Sequence, residues 1–329
     1  MVTHILLTGA NGYLGSYVCR ELLRQCYKVI GFTYSHFRSR IVNHPDVTYL
    51  ECDIRSDVAS NVAVLDALEG KDVTAIVNTA ALLGSSDYEQ NYQVNARGVK
   101  NLVNLAVRKG VERFVHISTV CVLKPIKGPY GETKLAGQEF LVNSKLSYTI
   151  FIPAMILGPE SLGLNRILKS AFWLPLVVPL IGDGSQMQHP IFVEDLAKCI
   201  VKCIDRPQSH GMIYEIGGDT VLSFRDLLGM ILALKGKRRI CVNVPPFLAK
   251  ALGHVFQKTQ KVPRFTAEHV KGVLQDSRLN TVAVRKDLDF DPTPLETALK
   301  RCLDVIGSNW DLYLQPKPME TIIQSWSRD

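Results

Sequence analysis

The chain has 329 residues, 47% of them hydrophobic, and a formal net charge of +7. That length supports one large α/β domain with a smaller lobe, or two domains, around a sizeable core. The positive charge arrives without any recognised nucleic-acid-binding motif, so nucleic acid is set aside as a partner. The excess is concentrated: Lys235 to Arg301 holds fourteen Lys and Arg against six Asp and Glu. This is a solvated basic face or, more sharply, a lobe that attracts an anionic substrate or cofactor. Eight cysteines are scattered with no C-x-x-C pair, and Cys199 and Cys203 share a helix face without a further ligand cluster. No metal site follows, and a reduced, cytoplasmic protein is the simplest account.

His4–Thr8 is a short apolar run of the kind that forms a buried parallel strand. From Tyr13, Leu14, Val18, Leu22 and Leu23 form one helical stripe. Between them lies Thr8-Gly9-Ala10-Asn11-Gly12-Tyr13-Leu14-Gly15. Gly9 suits the sharp turn, Gly12 a close approach of backbone to phosphate, and Gly15 tight packing of helix on strand. The helix N-terminus would then face a pyrophosphate. The first strand starts too early for a signal peptide to precede it. Further strands are expected at Lys28–Thr33, Val47–Cys52, Val73–Asn78, Arg113–Ser118 and Ser147–Ile152, with helices near 60–69, 88–109 and 130–143. This alternation predicts a doubly wound parallel sheet.

After Pro153 the rhythm changes. Gly158-Pro159 breaks the chain and a longer irregular region is expected. Its most apolar stretch, Phe172–Ile181, is too short to span a bilayer and contains Pro175 and Pro179. It reads as a packed lobe segment, with a greasy pocket wall or a membrane-surface contact as the alternative. Helices are expected near 193–204, 222–234, 265–274 and 293–305, with strand-like pieces at 212–216 and 239–244. The last twenty residues, which carry Pro316 and Pro318, are expected to be partly loose.

Tyr130-Gly131-Glu132-Thr133-Lys134 follows Pro129, a residue favoured at a helix start. The i, i+4 spacing puts the phenol and the ammonium on one face. A free tyrosine titrates near ~10, too high for ready proton exchange at neutral pH, and a neighbouring ammonium favours the phenolate. Upstream, the fifth strand ends in Ser118-Thr119, where hydroxyls meet the ligand crevice of a parallel sheet. Thr119 could hold a substrate oxygen there.

These motifs together resemble the extended short-chain dehydrogenase/reductases, the NAD-dependent epimerase/dehydratase family, over nearly the whole chain. The TGxxGxxG loop is Thr8–Gly15, and the aspartate that meets the adenine is Asp53, followed by Ile54. Asn78-Thr79-Ala80-Ala81 matches the strand-four motif, and Asn95 the mid-helix asparagine. Gly182-Asp183-Gly184, Ile191–Ala197, Tyr214–Gly218 and Leu288–Leu295 match motifs of the second half. The resemblance implies a Rossmann domain over 1–153, rejoined by segments from the C-terminal half, and a mostly helical substrate lobe over 154–329. It implies Thr119, Tyr130, Lys134 and Asn95 as the catalytic set. It implies Gly9, Asn11, Gly12, Tyr13, Leu14, Gly15, Asp53, Ile54, Thr79, Ala80, Ala81, Ser118, Tyr130, Lys134, Pro153 and Ile156 as the cofactor set. It also implies a homodimer paired through the helices at 88–109 and 130–143.

Three departures narrow this. Ile152 stands where the family usually has Arg, the loop from Thr119 to Tyr130 is short, and Val120-Cys121 replaces the Asp-Glu of dehydratases. Water elimination therefore lacks its carboxylates. The second strand ends without an acidic residue, while Arg38 and Arg40 follow it. NADP is therefore favoured, with NAD as the alternative. The expected activity is hydride transfer between a secondary alcohol and a ketone. An epimerase with tightly bound NAD and a non-catalytic NADP(H)-binding protein are the rivals. Leu82, Leu83, Lys124, Ala154, Met155 and His189 are candidate substrate contacts, His189 being the one most easily explained structurally. Nucleotide-sugars and lipophilic alcohols or ketones compete as substrates.

Overall fold

Seven strands make the central sheet: β1 (Thr3–Thr8), β2 (Lys28–Thr33), β3 (Val47–Glu51), β4 (Asp72–Asn78), β5 (Arg113–Ile117), β6 (Ser147–Pro153) and β11 (Met212–Ile216). Their order is β11-β6-β5-β4-β1-β2-β3, every pair parallel. The computed structural model describes residues 3–34, 40–259, 270 and 272–307.

The period of two in the strands explains why both faces are covered. Ile5 and Leu7 of β1, Ala75 and Val77 of β4, and Val115 and Ile117 of β5 feed one apolar core. Their neighbours Leu6, Ile76 and Phe114 feed the other. The first core is closed by α1 (Tyr13–Arg24), α7 (Val193–Lys202), α8 (Phe224–Leu234) and α11 (Leu295–Ile306). The second is closed by α2 (Val62–Ala67), α4 (Gly98–Lys109) and α5 (Gly128–Val142). α4 ends on Gly110 at φ 70°, with Arg108 and Lys109 in its last turn. The strand order reverses between β1 and β4, which opens a crevice at their C-terminal ends.

The helix expected over 88–109 is interrupted. α3 (Tyr88–Tyr92) passes through a π-helical turn, Gln93–Arg97, before α4 begins. The inserted residue buries Asn95 against α5, where a Cβ on Gly137 would lie 2.1 Å from Asn95 O. Such a bulge re-aims a side chain inside an otherwise regular helix.

The second half is more ordered than the sequence pattern suggested. The region expected to be irregular holds β7 (Ile156–Leu157), α6 (Leu162–Ala171), β8 (Val177–Ile181), β9 (Met187–Gln188) and β10 (Ile191–Phe192). Further on come β12 (Leu222–Ser223), β13 (Ile240–Val244), α9 (Pro246–Thr259) and α10 (Val282–Asp287). Ser161 caps α6 by accepting from Leu164 N, and β8 pairs in parallel with β13. The β8–β13 pairing is long-range, so no local periodicity announces it. Two of the family-like motifs meet here: Asp195 accepts from Thr293 N at 2.7 Å and Thr293 Oγ1 at 2.9 Å. The expected helix at 265–274 falls largely, and the last twenty residues wholly, outside the described residues.

Candidate active site

The glycine loop leaves β1 as a cradle that side chains could not occupy. Gly9 has φ +66°, and a Cβ there would sit 2.9 Å from Ala80 N. A Cβ on Gly15 would lie 2.0 Å from Gly9 O, and one on Gly12 2.9 Å from it. Gly12 is the N-cap of α1 without a capping side chain, so the first-turn N–H groups face the crevice, as an anion site requires. Asn11 and Leu14 are buried beside it. Tyr13 is the exception among the loop residues. Its ring stands edge-on to Tyr17, and a Cβ on Gly158 would touch its hydroxyl, so its side chain packs against the second half of the chain.

The other expected cofactor residues lie along the same sheet edge. Asp53 and Ile54 follow β3, and Thr79, Ala80 and Ala81 follow β4. Ser118 follows β5, Pro153 ends β6, and Ile156 opens β7. Thr79 Oγ1 donates to Thr8 O at 2.7 Å and braces the loop from behind. Ser118 Oγ is buried and has no hydrogen-bond partner among the described residues. An orphaned donor beside a cradle free of side chains is what a dinucleotide site presents, so these residues fit the group.

Beyond the end of β3, Asp53 is held by Arg55 through Nε–H at 2.9 Å and Nη2–H at 2.6 Å. That pairing keeps the Asp53 carboxyl below its ordinary value. Arg55 also donates to Tyr34 Oη at 3.0 Å and lies over its ring. Sequence reasoning missed Arg55; its two-residue offset from Asp53 was the available signal. Arg40 Nε is buried with no hydrogen-bond partner among the described residues, and its guanidinium acts on the Tyr13 phenol. Arg38 lies outside the described residues.

Thr119 and Tyr130 line one cavity of about 490 Å³. Burial holds the Tyr130 phenol above its ordinary value, and the Thr119 side chain draws it partly back. Lys134 does not contribute, contrary to expectation, because it is turned toward β5. Its Nζ donates to Ile117 O at 2.5 Å and lies 3.4 Å from His116 Nε2. Burial depresses Lys134 to about 7.

A polar chain runs under this lysine. Thr8 Oγ1 donates to Asn78 Oδ1 at 2.6 Å, and Ala80 N donates to the same oxygen at 3.1 Å. Asn78 must then turn Nδ2 to His116 Nδ1, 3.2 Å away. The ring proton of His116 therefore sits on Nε2, facing Lys134. Burial, then Lys134, holds His116 far below its ordinary value, so the ring is neutral. Sequence reasoning did not single out His116, which looked like one more residue of a buried strand.

Asn95 works as a clamp. Its Oδ1 accepts from Leu82 N at 2.9 Å, and its Nδ2 reaches Leu82 O at 3.3 Å and Thr133 Oγ1 at 3.3 Å. Leu82 is thereby fixed by its backbone and does not line the cavity. Leu83, Lys124, Ala154 and Met155 do. Lys124 Nζ donates to Gly272 O at 3.2 Å, and burial lowers its pKa. The remaining wall is mainly apolar, from Leu162, Ile167, Val178, Ile181 and Leu228, with Arg166 among them. His189 is outside this wall. Its Nε2 pairs with Gly218 O at 3.1 Å, and its ring fills the space a Cβ on Gly217 would need, so it is a packing residue. Among the described residues no cluster of side chains could hold a metal ion.

Residues 5–217 match the model of the NAD dependent epimerase/dehydratase family. The chain belongs to that family, which joins the doubly wound sheet to nicotinamide chemistry. It is 27% identical over 292 residues to a 2-alkyl-3-oxoalkanoate reductase of Stenotrophomonas maltophilia, covering 80% of this chain and 85% of the relative. It is 24% identical over 307 residues to the mitochondrial NADH dehydrogenase [ubiquinone] 1 alpha subcomplex subunit 9 of Dictyostelium discoideum, covering 89% of this chain and 82% of that one. Among solved structures, the epimerase Mth375 of Methanothermobacter thermautotrophicus superposes with a TM-score of 0.74 at 20% identity. That match covers 95% of this chain and 94% of the other, and it is a likeness of fold.

Proposed function

We propose that the protein is an NADP(H)-dependent reductase or dehydrogenase that interconverts a ketone and a secondary alcohol on a lipophilic substrate. The observation that carries this reading is that Thr119 and Tyr130 stand together on the wall of a largely apolar cavity, at the sheet edge from which the glycine loop also leaves. Gly9–Gly15, Ser118 and Lys134 hold the dinucleotide, which when bound supplies or accepts the hydride. Thr119 Oγ1 donates to the substrate oxygen and orients the carbonyl. Tyr130 Oη gives its proton to that oxygen on reduction and recovers it on oxidation. Both donors are fixed before charge develops, so little reorganisation accompanies the reaction.

NADP is supported by the β2 terminus, which lacks a carboxylate for the ribose, and by Arg40, whose buried Nε has no partner among the described residues. Arg55 is already engaged by Asp53. The reductase relative makes 3-oxoalkanoates the first compounds to try. Eight free cysteines agree with a reducing, cytoplasmic setting.

The test is a fluorescence titration with NADPH and NADH, followed by nucleotide oxidation with a panel of ketones. Tighter NADPH binding and turnover lost in Tyr130→Phe support the proposal; failure to bind either nucleotide overturns it. NAD that survives purification without net turnover would establish the epimerase reading. The subunit relative supports a second reading, a nucleotide-binding subunit without chemistry. It prevails if NADPH binds and Tyr130→Phe changes nothing measurable in the cell while Gly15→Val does.

A further inference from the structure

From Asp226 to Glu268 the sequence contains no acidic residue between those two, yet eight Lys and Arg; from Glu160 to Asp183 it again contains none between them. The described parts of these segments pack together. β8 pairs with β13, Ile240 N donates to Leu176 O at 3.1 Å, and the Trp173 ring stands edge-on to Phe256 of α9 at 6.1 Å. Phe256, toward the C-terminal end of α9, therefore meets the chain just ahead of β8.

This surface is apolar as well as basic. Leu176 is 73% exposed, Ile240 70% and Phe247 73%, and Trp173, Val242, Leu248, Leu252 and Val255 are exposed with them. On α9, Phe247, Leu248, Ala251, Leu252 and Val255 occupy one side at helical spacing, while Ala249 and Gly253 are buried on another. Lys250 and His254 edge the apolar side, and Lys237 and Arg238 are exposed just before β13. Scattered exposed apolar residues need no explanation, but several on one side of a single helix, with more on the segments around β8 and β13, do. A helix with an apolar outer face, basic flanks and no acidic residue lies in the plane of an anionic bilayer. Fourteen residues give it a length of about 21 Å.

We propose that α9, with Trp173, Leu176 and Ile240 beside it, is a peripheral docking surface for an anionic phospholipid bilayer. The apolar side chains enter the interfacial region and Lys237, Arg238 and Lys250 meet the headgroups. β8 joins this surface to the cavity, because Val178, Pro179 and Ile181 line it while Leu176 faces out. The inference does not depend on the reductase reading.

The full-length chain is mixed with phosphatidylcholine vesicles, with and without phosphatidylglycerol, and bound protein is measured by flotation. A Trp310→Phe/Trp326→Phe protein leaves Trp173 as the sole tryptophan. Binding to anionic vesicles only, weakened by salt, with a blue shift of Trp173, is the expected result. Phe247→Glu/Leu252→Glu should cut partitioning about tenfold or more, a loss of roughly 1.4 kcal/mol or greater. Lys237→Glu/Lys250→Glu should cut it too, and this surface pair decides if the first variant fails to fold. Absence of vesicle binding by folded protein, or binding that both variants retain, overturns the proposal. A dimer that Phe247→Glu/Leu252→Glu dissociates, without vesicle binding, overturns it in favour of contact between two copies.

Discussion

The two sides of the crevice are built on opposite principles. On the glycine-loop side, a chain of polar atoms is tied in sequence: Thr8 to Asn78, Asn78 to His116, and Lys134 to Ile117 O. The glycines there tolerate no Cβ. On the cavity side the wall is mostly apolar, with Lys124, Lys127 and Arg166 as its cations. The difference teaches that position is specified tightly where a proton must move, and only shape and polarity where a substrate body must fit. Hydrogen bonds are directional and costly to leave unmade, whereas apolar burial is not directional.

That contrast can be broken from the polar side first. Gly15→Val places a side chain inside Gly9 O and should cost on the order of 3 kcal/mol or more of stability, read by urea denaturation, with dinucleotide binding lost. Tyr130→Phe should leave binding intact and lower turnover about 10²- to 10⁴-fold, read from single-turnover rates.

Lys134→Met tests the buried amine. Lys134 titrates at about 7 when folded against 10.5 in its ordinary state. Above about 7 the unfolded chain keeps a proton that the folded chain has released. Stability should therefore rise with pH from about 7 to 8.5, before the thiols of Cys19 and Cys52, pushed up to about 11, begin to favour unfolding. The methionine variant should lose that rise in thermal midpoint; an unchanged slope counts against a neutral amine.

His116→Phe removes the ring nitrogens and leaves Asn78 Nδ2 without its acceptor. The expected cost is about 1–3 kcal/mol, with a shifted pH profile for any activity that depends on Lys134. The smallest effect is expected on the cavity side. Lys124→Met should keep the fold and change KM several-fold for ketones bearing a carboxylate, with little effect on neutral ones. An equal effect on both would show that the cation serves packing alone.

The six N-terminal strands were legible because buried parallel strands are continuous apolar runs, and the glycine spacing and Tyr130-x-x-x-Lys134 are local signals. Even β11 was legible from Tyr214 and its neighbours, although its place beside β6 was not. β8 was missed because its pairing with β13 depends on residues far along the chain, while the Ser161 cap of α6 was a local signal left unread. The π-helical turn at Asn95 was missed because one inserted residue barely disturbs a helical stripe.

By itself the sequence determined the alternation of strand and helix, the anion cradle and the spacing of phenol and amine, since these are set within a few residues of one another. Only the tertiary structure decided that Lys134 turns toward His116, that Arg55 rather than solvent holds Asp53, and that His189 packs under Gly217. It also decided that an apolar helix face stands outward beside a basic edge. Burial and hydrogen-bond partners come from residues distant in the chain, and a pKa or an exposed face does not exist until those residues meet.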